Sequence, residues 1–214
     1  MKIGLIADIH CNVTGLKQAL KFLDDCEEVL CAGDLLCLYR FSSEVLNILQ
    51  HNRVHSIVGN HDKTILYSPE HPLRFSSSVN TTDLKYLSDL PESLYLSLGG
   101  MRVAMFHGSP WDEKDTYAAY SVYPSVREDI QRVAEINADI IVLGHTHQPF
   151  FDRSENATLV VNPGSCGESR SPDGLLSCAR LDTVSGHVEF HRFSPELTAS
   201  LPSQRLANGG FQVL

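Results

Sequence analysis

The stretch Val29-Leu30-Cys31-Ala32-Gly33-Asp34 decides the fold, since an apolar run stops at a glycine and a carboxylate follows at once. Such a run is typical of a buried strand, and open α/β sheets place their functional sites at the ends of strands. Four other apolar runs also end in polar side chains: residues 3–7, 56–58, 103–106 and 140–143. The sequence therefore predicts one site assembled from five strand ends.

Seven side chains in the turns after these strands can ligate a metal ion: Asp8, His10, Asp34, Asn60, His107, His145 and His147. Carboxylate, amide and imidazole ligands without a thiolate suit borderline or hard divalent ions such as Mn²⁺, Fe²⁺, Zn²⁺ or Ni²⁺. A structural zinc site would more often contain cysteine, so we interpret the ions as catalytic. We predict that Asp34 bridges two divalent ions and that the other six ligands surround them.

Each of these residues has an ordinary explanation when it is taken alone. An aspartate near a helix start is often a cap, and a single histidine is more often a surface or core group. Ligand types at all five strand ends are hard to attribute to chance. The histidines outside the five turns keep the ordinary explanation: His51, His55, His71, His187 and His191.

The first third of the chain alternates strands and helices. Strands are predicted over about residues 2–7, 28–32 and 54–58, with a helix capped by Thr14 after the first strand and a helix over about 43–50 after the second. This alternation favours parallel strands joined by right-handed crossovers.

The second half of the chain is richer in strands. Residues 94–98 and 102–106, joined by two glycines, predict a hairpin, and a helix is expected over about 125–136. Several short strands then follow without intervening helices. We therefore predict an α/β fold, a four-layer αββα sandwich of two mixed β-sheets flanked by helices, rather than one doubly wound sheet.

The 214 residues are interpreted as a single domain spanning 1–214. A proline-containing stretch at about 63–92, with a short helix expected over about 82–90, is predicted to form a cap-like insert. Because it follows a strand-end motif, the insert could form one wall of the site and select the substrate, or it could be a surface excursion without a role. The tail from about residue 194 either packs on a face or frays.

Composition limits the class of partner. A formal net charge of −9 argues against an extended nucleic-acid surface and against an anionic membrane as partner. The first apolar run is too short for a signal peptide, and none approaches the roughly 18 residues of a spanning helix, so a cytoplasmic protein is expected. The six cysteines include no Cys-x-x-Cys pair, and we interpret them as reduced thiols.

Five motifs, in this order, resemble those of the calcineurin-like metallophosphoesterase superfamily: Asp8-Ile9-His10, Gly33-Asp34, Gly59-Asn60-His61-Asp62, His107-Gly108 and Gly144-His145-Thr146-His147. The resemblance covers residues 3 to about 166. The segment Asn162-Pro163-Gly164-Ser165 is similar to one in small bacterial members related to phosphodiesterases and to diadenosine tetraphosphatase. The resemblance thus supports the four-layer fold and the metal site.

Carried over by motif, the resemblance implies a role for each site residue. The first metal would be held by Asp8, His10, Asp34 and His147, and the second by Asp34, Asn60, His107 and His145. The general acid of the family would correspond to His61, with Asp62 orienting it. The family often has Gly-Asp-x-x-Asp, whereas this chain has Cys37 at the position of the second aspartate. We interpret Cys37 as a packing residue in preference to a site of oxidation. The same two interpretations apply to Cys11 and Cys166.

The resemblance implies a metal-dependent hydrolase of phosphodiester or phosphomonoester bonds in a small phosphorylated substrate, nucleotides included, with a hydroxide activated by two metals. Alternative activities are dinucleoside polyphosphate hydrolysis and serine/threonine-type protein phosphatase activity. A non-catalytic binding scaffold, as in the retromer subunits of the superfamily, is the alternative of another class, and the complete ligand set argues against it. Four aromatic residues either stack on a base or, in our preferred interpretation, pack: Trp111, Tyr117, Tyr120 and Tyr123.

Overall fold

The computed structural model describes residues 1–77, 79–111, 120–123 and 125–194. The strands in these ranges, in chain order, are β1 (Lys2–Ile6), β2 (Glu28–Cys31), β3 (His55–Ser56), β4 (Ser93–Leu98), β5 (Met101–Phe106), β6 (Ile140–Val142), β7 (Phe150–Arg153), β8 (Leu159–Asn162), β9 (Leu176–Asp182) and β10 (His187–Phe193). The α-helices are α1 (Val13–Phe22), α2 (Ser43–His51), α3 (Asn60–Tyr67), α4 (Thr81–Asp89) and α5 (Arg127–Val133). A short 3₁₀ helix spans Pro72–Phe75.

The strands form two five-stranded mixed sheets. The first has the order β10-β9-β1-β2-β3, in which β1, β2 and β3 are parallel and the other two strands pair antiparallel. The second has the order β4-β5-β6-β8-β7, in which β5, β6 and β8 are parallel and both edge strands pair antiparallel. The parallel strands therefore occupy one side of the first sheet, with β3 at its edge, and the centre of the second sheet. The predicted motifs follow the carboxyl ends of these parallel strands.

Apolar side chains fill three layers between the elements. One cluster, including Leu5, Leu30, Val103 and Val142, lies between the two sheets. A second packs the first sheet against α1 and α2, and a third packs the second sheet against α5. The predicted four-layer αββα sandwich of two mixed sheets is confirmed. It also explains why residues 3–6 of β1 are all buried, since a central strand covered on both faces reads as an unbroken apolar run.

Several element boundaries differ from the sequence predictions. Asn12, not Thr14, caps α1, because its side-chain oxygen accepts the Gly15 N–H at 2.8 Å while Thr14 already lies within the first turn. Strand β3 has only two residues, since the chain turns away to present the following motif, and α5 is shorter than the predicted 125–136. All three differences concern the ends of elements, which local sequence patterns predict least accurately.

The stretch 63–92 packs on the helical side of the first sheet. It begins inside α3, and buried side chains at Ile65, Leu73 and Leu87 join the cluster that contains α1 and α2. Its role in choosing a substrate stays a prediction. The tail beyond residue 194 and Tyr117 lie outside the described residues. None of the helices in the described ranges has the length and apolar character that crossing a bilayer requires.

Candidate metal centre

The turns after β1, β2, β3, β5 and β6 meet at one edge of the sandwich. Asp34 Oδ2 lies 3.3 Å from His107 Nε2 and 3.8 Å from His10 Nε2. Asp8 Oδ1 lies 3.4 Å from His147 Nε2, which is itself 3.1 Å from His10 Nε2. Side chains separated by more than 130 positions in the sequence are therefore in direct contact.

The remaining two predicted ligands complete the cluster. Asn60 Oδ1 lies 3.0 Å from His107 Nε2 and 2.9 Å from His145 Nδ1. All seven predicted ligands thus converge, and all of them except the half-buried Asn60 are buried. Two groups made up only of the predicted ligands are compact enough to hold a cation: Asp8, His10 and His147, and Asp8, Asp34 and His107.

The two aspartates each use one oxygen for the fold and leave the other facing the histidines. Asp34 Oδ1 accepts the His61 N–H at 2.9 Å, and Asp8 Oδ2 accepts the His145 N–H at 3.0 Å. Asp8 Oδ1 is buried and has no hydrogen-bond donor among the described residues. A buried carboxylate oxygen without a donor is costly unless a cation balances it. The arrangement therefore fits a bound divalent ion.

Two histidines are held with one ring nitrogen directed at these carboxylates. His107 Nδ1–H donates to the Ala32 carbonyl at 2.7 Å, and His147 Nδ1–H donates to the Glu168 carbonyl at 2.5 Å. Each bond places the ring proton on Nδ1 and leaves the lone pair of Nε2 for a metal, as in many metal sites. The tautomer that a ligand requires is therefore set by backbone carbonyls.

The electrostatics of the centre favour positive charge. Burial lowers the pKa of His107, but the Asp34 and Asp8 carboxylates outweigh it and raise that pKa to about 9. Burial and the neighbouring His107 lower the pKa of His145 to about 3, so this imidazole stays neutral and able to ligate. The same two carboxylates that attract a proton to His107 would also attract a divalent cation.

Backbone strain marks the same residues. Five predicted ligands have positive φ angles, between 46° and 69°: Asp8, His10, Asp34, His145 and His147. Residues other than glycine occupy this region at a cost of about 1–3 kcal/mol each, and such strain clusters at functional sites. The sequence did not predict this strain, because an aspartate or a histidine does not by itself indicate a left-handed backbone conformation.

Close approach explains the glycines of two motifs. Gly33 has a φ of +89°, and a Cβ there would lie 2.8 Å from both Gly59 N and His107 Nδ1. A Cβ at Gly59 would collide with Asp34 Oδ1. Glycine at these two positions lets the turns after β2 and β3 approach each other closely enough to share ligands.

The segment after β8 supports the last histidine turn. Asn162 Nδ2 donates to the Gly144 carbonyl at 2.7 Å, and Ser165 Oγ donates to the Asp8 carbonyl at 2.7 Å. Sequence reasoning noted this segment only as a resemblance and assigned it no role. Asparagine and serine after a strand are common turn formers, so nothing local indicated contacts with two ligand turns.

His61 lies beside the centre and is more accessible than most of the predicted ligands. Its Nε2 is 4.0 Å from Asp34 Oδ2, and its side chain is 24% exposed. Its Nδ1 accepts the Leu38 N–H at 3.1 Å. The ring therefore carries its proton on Nε2, which faces the centre.

Asp62 was predicted to orient His61, but its hydrogen bonds in the described part of the chain go to other groups. The Asp62 carboxylate accepts three backbone N–H groups, from Leu35, Leu36 and Gly59, at 2.9–3.1 Å. Burial and the charge of Asp34 raise the pKa of Asp62 to about 6, although these three hydrogen bonds oppose the rise. Asp62 therefore fastens the turn that carries Asp34 to the start of α3, and a backbone N–H orients His61.

We expect Asp62→Ala to destabilise the protein by about 3 kcal/mol, because it leaves three buried N–H groups without an acceptor. Asp62→Asn should cost less, since its amide oxygen keeps part of the bonding. Urea unfolding of the metal-free variants measures both. A loss below about 1 kcal/mol in Asp62→Ala would show that the two turns hold together without this carboxylate.

Cys37 stands next to His61 and His10. Burial raises the pKa of its thiol, but contacts with His10 and His61 outweigh burial and lower it to about 5. The other two cysteines of interest differ. Cys166 is fully buried in the helix-side core, and the Cys11 thiol accepts the Cys37 N–H and donates to the Arg40 carbonyl. Packing is thus confirmed for Cys166, whereas Cys37 faces two imidazoles.

The aromatic residues after β5 have different surroundings. Trp111 packs beside the outer apolar cluster, with the Arg132 guanidinium 4.2 Å from its ring. Trp111 therefore packs against protein groups, as in the preferred interpretation, and it also borders the cleft beside His107. Tyr120 lies edge-on to His145, with the ring centroids 4.8 Å apart, and so stands at the wall of the centre.

The sandwich with aspartates and histidines at its strand ends defines an α/β protein with a candidate site for divalent cations. Residues 1–186 match the calcineurin-like phosphoesterase superfamily domain. The chain belongs to this superfamily.

Three similar proteins illustrate the family. A probable metallophosphoesterase of Methanothermobacter thermautotrophicus is 28% identical over 213 residues, which cover 96% of this chain and 100% of that one. A phosphodiesterase of Methanocaldococcus jannaschii is 21% identical over 171 residues, covering 78% and 84%. The crystal structure of a metallophosphoesterase from Sphaerobacter thermophilus superposes with a TM-score of 0.74 at 21% identity, covering 91% and 89% of the two chains.

Proposed function

We propose that this protein is a metal-dependent phosphoesterase that hydrolyses phosphodiester or phosphomonoester bonds in a small substrate. The observation that carries the proposal is the unpartnered Asp8 Oδ1 beside Asp34 Oδ2, surrounded by imidazoles whose lone pairs face them. The names of two relatives, a probable metallophosphoesterase and a phosphodiesterase, support the reaction class.

Two groups of protein atoms would hold the cations. Asp8, His10, Asp34 and His147 form the first proposed set, and Asp34, Asn60, His107 and His145 form the second. When bound, a pair of divalent cations such as Mn²⁺, Fe²⁺, Zn²⁺ or Ni²⁺ lowers the pKa of water towards neutrality and neutralises charge on the phosphate. Asp34 belongs to both sets in this proposal, and its Oδ2 lies within 4 Å of Nε2 of both His10 and His107.

His61 supplies the proton in this proposal. The Leu38 N–H occupies Nδ1, so the proton of the neutral ring sits on Nε2, the nitrogen nearer to Asp34. From there it can hydrogen-bond to the phosphate and pass to the departing oxygen, which would otherwise leave as an alkoxide. Direct hydrolysis requires no phosphorylated side chain, and trapping of a covalent phosphohistidine or phosphoserine would contradict the mechanism.

A cleft beside His107 offers room for the ester group. Its volume is about 340 Å³, and its walls include Lys63, Glu92, Trp111 and Tyr120. Lys63 Nζ lies 5.9 Å from the centre of the Tyr120 ring. A cationic and an aromatic group side by side suit a phosphorylated substrate with a flat organic part, nucleotides included.

The test is a substrate panel measured with each metal: an aryl phosphomonoester, an aryl phosphodiester, cyclic nucleotides and dinucleoside polyphosphates. We expect hydrolysis of at least one ester only when a divalent cation is added, and its loss on chelation. The relative rates distinguish a diesterase from a dinucleoside polyphosphate hydrolase. If the metal-loaded protein hydrolysed none of them, a binding scaffold of the same fold would be the better explanation.

A further inference from the structure

Three side chains form a possible cation position that the proposed two-metal centre does not use. One ligand atom each from Cys37, His10 and His61 lies within 4.8 Å of the other two. Cys37 and His61 are half-buried, whereas His10 is buried. One sulfur and two imidazole ligands are a donor set typical of zinc, with an open fourth position.

The backbone around Cys37 is held unusually firmly. The N–H groups of residues 35–38 all donate to side chains: Leu35 and Leu36 to Asp62, Cys37 to the Cys11 thiol, and Leu38 to His61 Nδ1. A ligand whose backbone is fixed in this way loses little freedom when it binds a metal. The backbone that carries the Cys37 side chain is therefore fixed before any cation binds.

His10 can take part without leaving the first metal set. Its Nε2 lies near Asp8, Asp34 and His147. Its Nδ1 is buried and has no well-formed hydrogen bond in the described part of the chain. An imidazole ring offers two ligand nitrogens on different sides once its N–H proton is lost, so the unpartnered atom is a second indication of a ligand.

We propose that Cys37, His10 and His61 form a separate position for a thiophilic divalent cation such as Zn²⁺ or Cd²⁺. On binding, the sulfur ligates as a thiolate, the His61 proton moves from Nε2 to Nδ1 at the expense of the Leu38 hydrogen bond, and the His10 Nδ1 proton passes to water, so that the His10 ring binds one cation through each nitrogen as an imidazolate. Hard ions such as Mn²⁺ would not occupy the position, because a thiolate favours soft ions. Because His61 would be one of its ligands, such an ion would also keep His61 from donating a proton. This inhibition, unlike the binding itself, rests on the proposed function.

Cadmium titration tests the position without an activity assay. The protein is first loaded with Mn²⁺, and Cd²⁺ is then added while element analysis and the near-ultraviolet sulfur-to-cadmium charge-transfer band are followed. We expect one further ion per chain together with the band. Cys37→Ser should abolish both, whereas the matched control Cys11→Ser should retain both, since its hydroxyl can replace the hydrogen bonds of the neighbouring thiol.

Three results would overturn the proposal. In the first, wild-type protein shows no charge-transfer band. In the second, the band survives in Cys37→Ser. In the third, it grows only as Mn²⁺ is released, which would place Cys37 within the two-metal centre. Circular dichroism of Cys37→Ser verifies folding, and the wild-type titration stands on its own if the variant fails to fold. None of these readouts depends on whether the protein hydrolyses phosphate esters.

Discussion

Replacing Asp34 by asparagine is expected to remove bound metal and to lower the rate of ester hydrolysis by about 10³-fold or more. Asp34 Oδ1 accepts the His61 N–H, and an amide oxygen can accept it as well. The amide nitrogen must then take the place of Oδ2, the atom 3.3 Å from His107 Nε2, where it can neither ligate a cation nor carry charge. The substitution should therefore spare the fold and remove the ligand shared by both proposed metal sets.

Element analysis and steady-state rates on an aryl phosphodiester measure the two effects. Asp139→Asn is the matched control, because Asp139 also accepts a backbone N–H, from Arg102, but lies at the start of β6, away from the carboxyl ends of the strands. Its exposed ion pair contributes at most about 1 kcal/mol. An Asp34→Asn protein with full metal content and full rate would refute the bridging assignment.

The sequence predicted the fold and the residues that meet at the site from apolar runs followed by polar residues, a pattern that results from the burial of the strands. Residues 3–6 form an unbroken apolar run because β1 is covered by a sheet on one face and helices on the other. Polar residues can follow such a strand only where it emerges from the core. Asp8, Asp34 and His107 thus became recognisable as neighbours without any knowledge of the distances between them.

Hydrogen-bond partners could not be predicted in the same way. The family resemblance implied that Asp62 orients the ring of His61, which it follows directly, but consecutive residues in the first turn of a helix point in different directions. The carboxylate instead caps the helix start and reaches the turn after β2. The hydrogen-bond partners of a buried carboxylate depend on which backbone N–H groups the tertiary fold leaves unpaired, and these groups cannot be identified from the local sequence.

The strained backbone of the site residues could not be predicted from the sequence either. A left-handed conformation is usually signalled by glycine, whereas Asp34 and His145 adopt it as ordinary residues. The surrounding contacts impose the conformation, since Asp34 is tied to the His61 N–H and the Asp8 carboxylate is tied to the His145 N–H. Strain held in place by a network of the site's own residues appears only when the elements have assembled.

Replacing His61 by glutamine is expected to lower turnover by about 10²-fold to 10⁴-fold while leaving metal content unchanged. The Asp34 hydrogen bond uses the backbone N–H of residue 61 and so survives the substitution. His61 Nε2 is 4.0 Å from Asp34 Oδ2, at the accessible rim of the cluster. The side chain can thus be changed with little disturbance to the seven proposed ligands.

Dependence on the leaving group separates proton donation from a structural role. An aryl phosphodiester releases a phenolate that needs little protonation, whereas an alkyl ester releases a strongly basic alkoxide. If His61 Nε2–H protonates that oxygen, the defect of His61→Gln must be larger for the alkyl ester. His55→Gln, a change at the surface histidine that pairs with Glu28, should alter neither rate. Equal defects on both esters would assign His61 to phosphate positioning, since binding contributes alike to good and poor leaving groups.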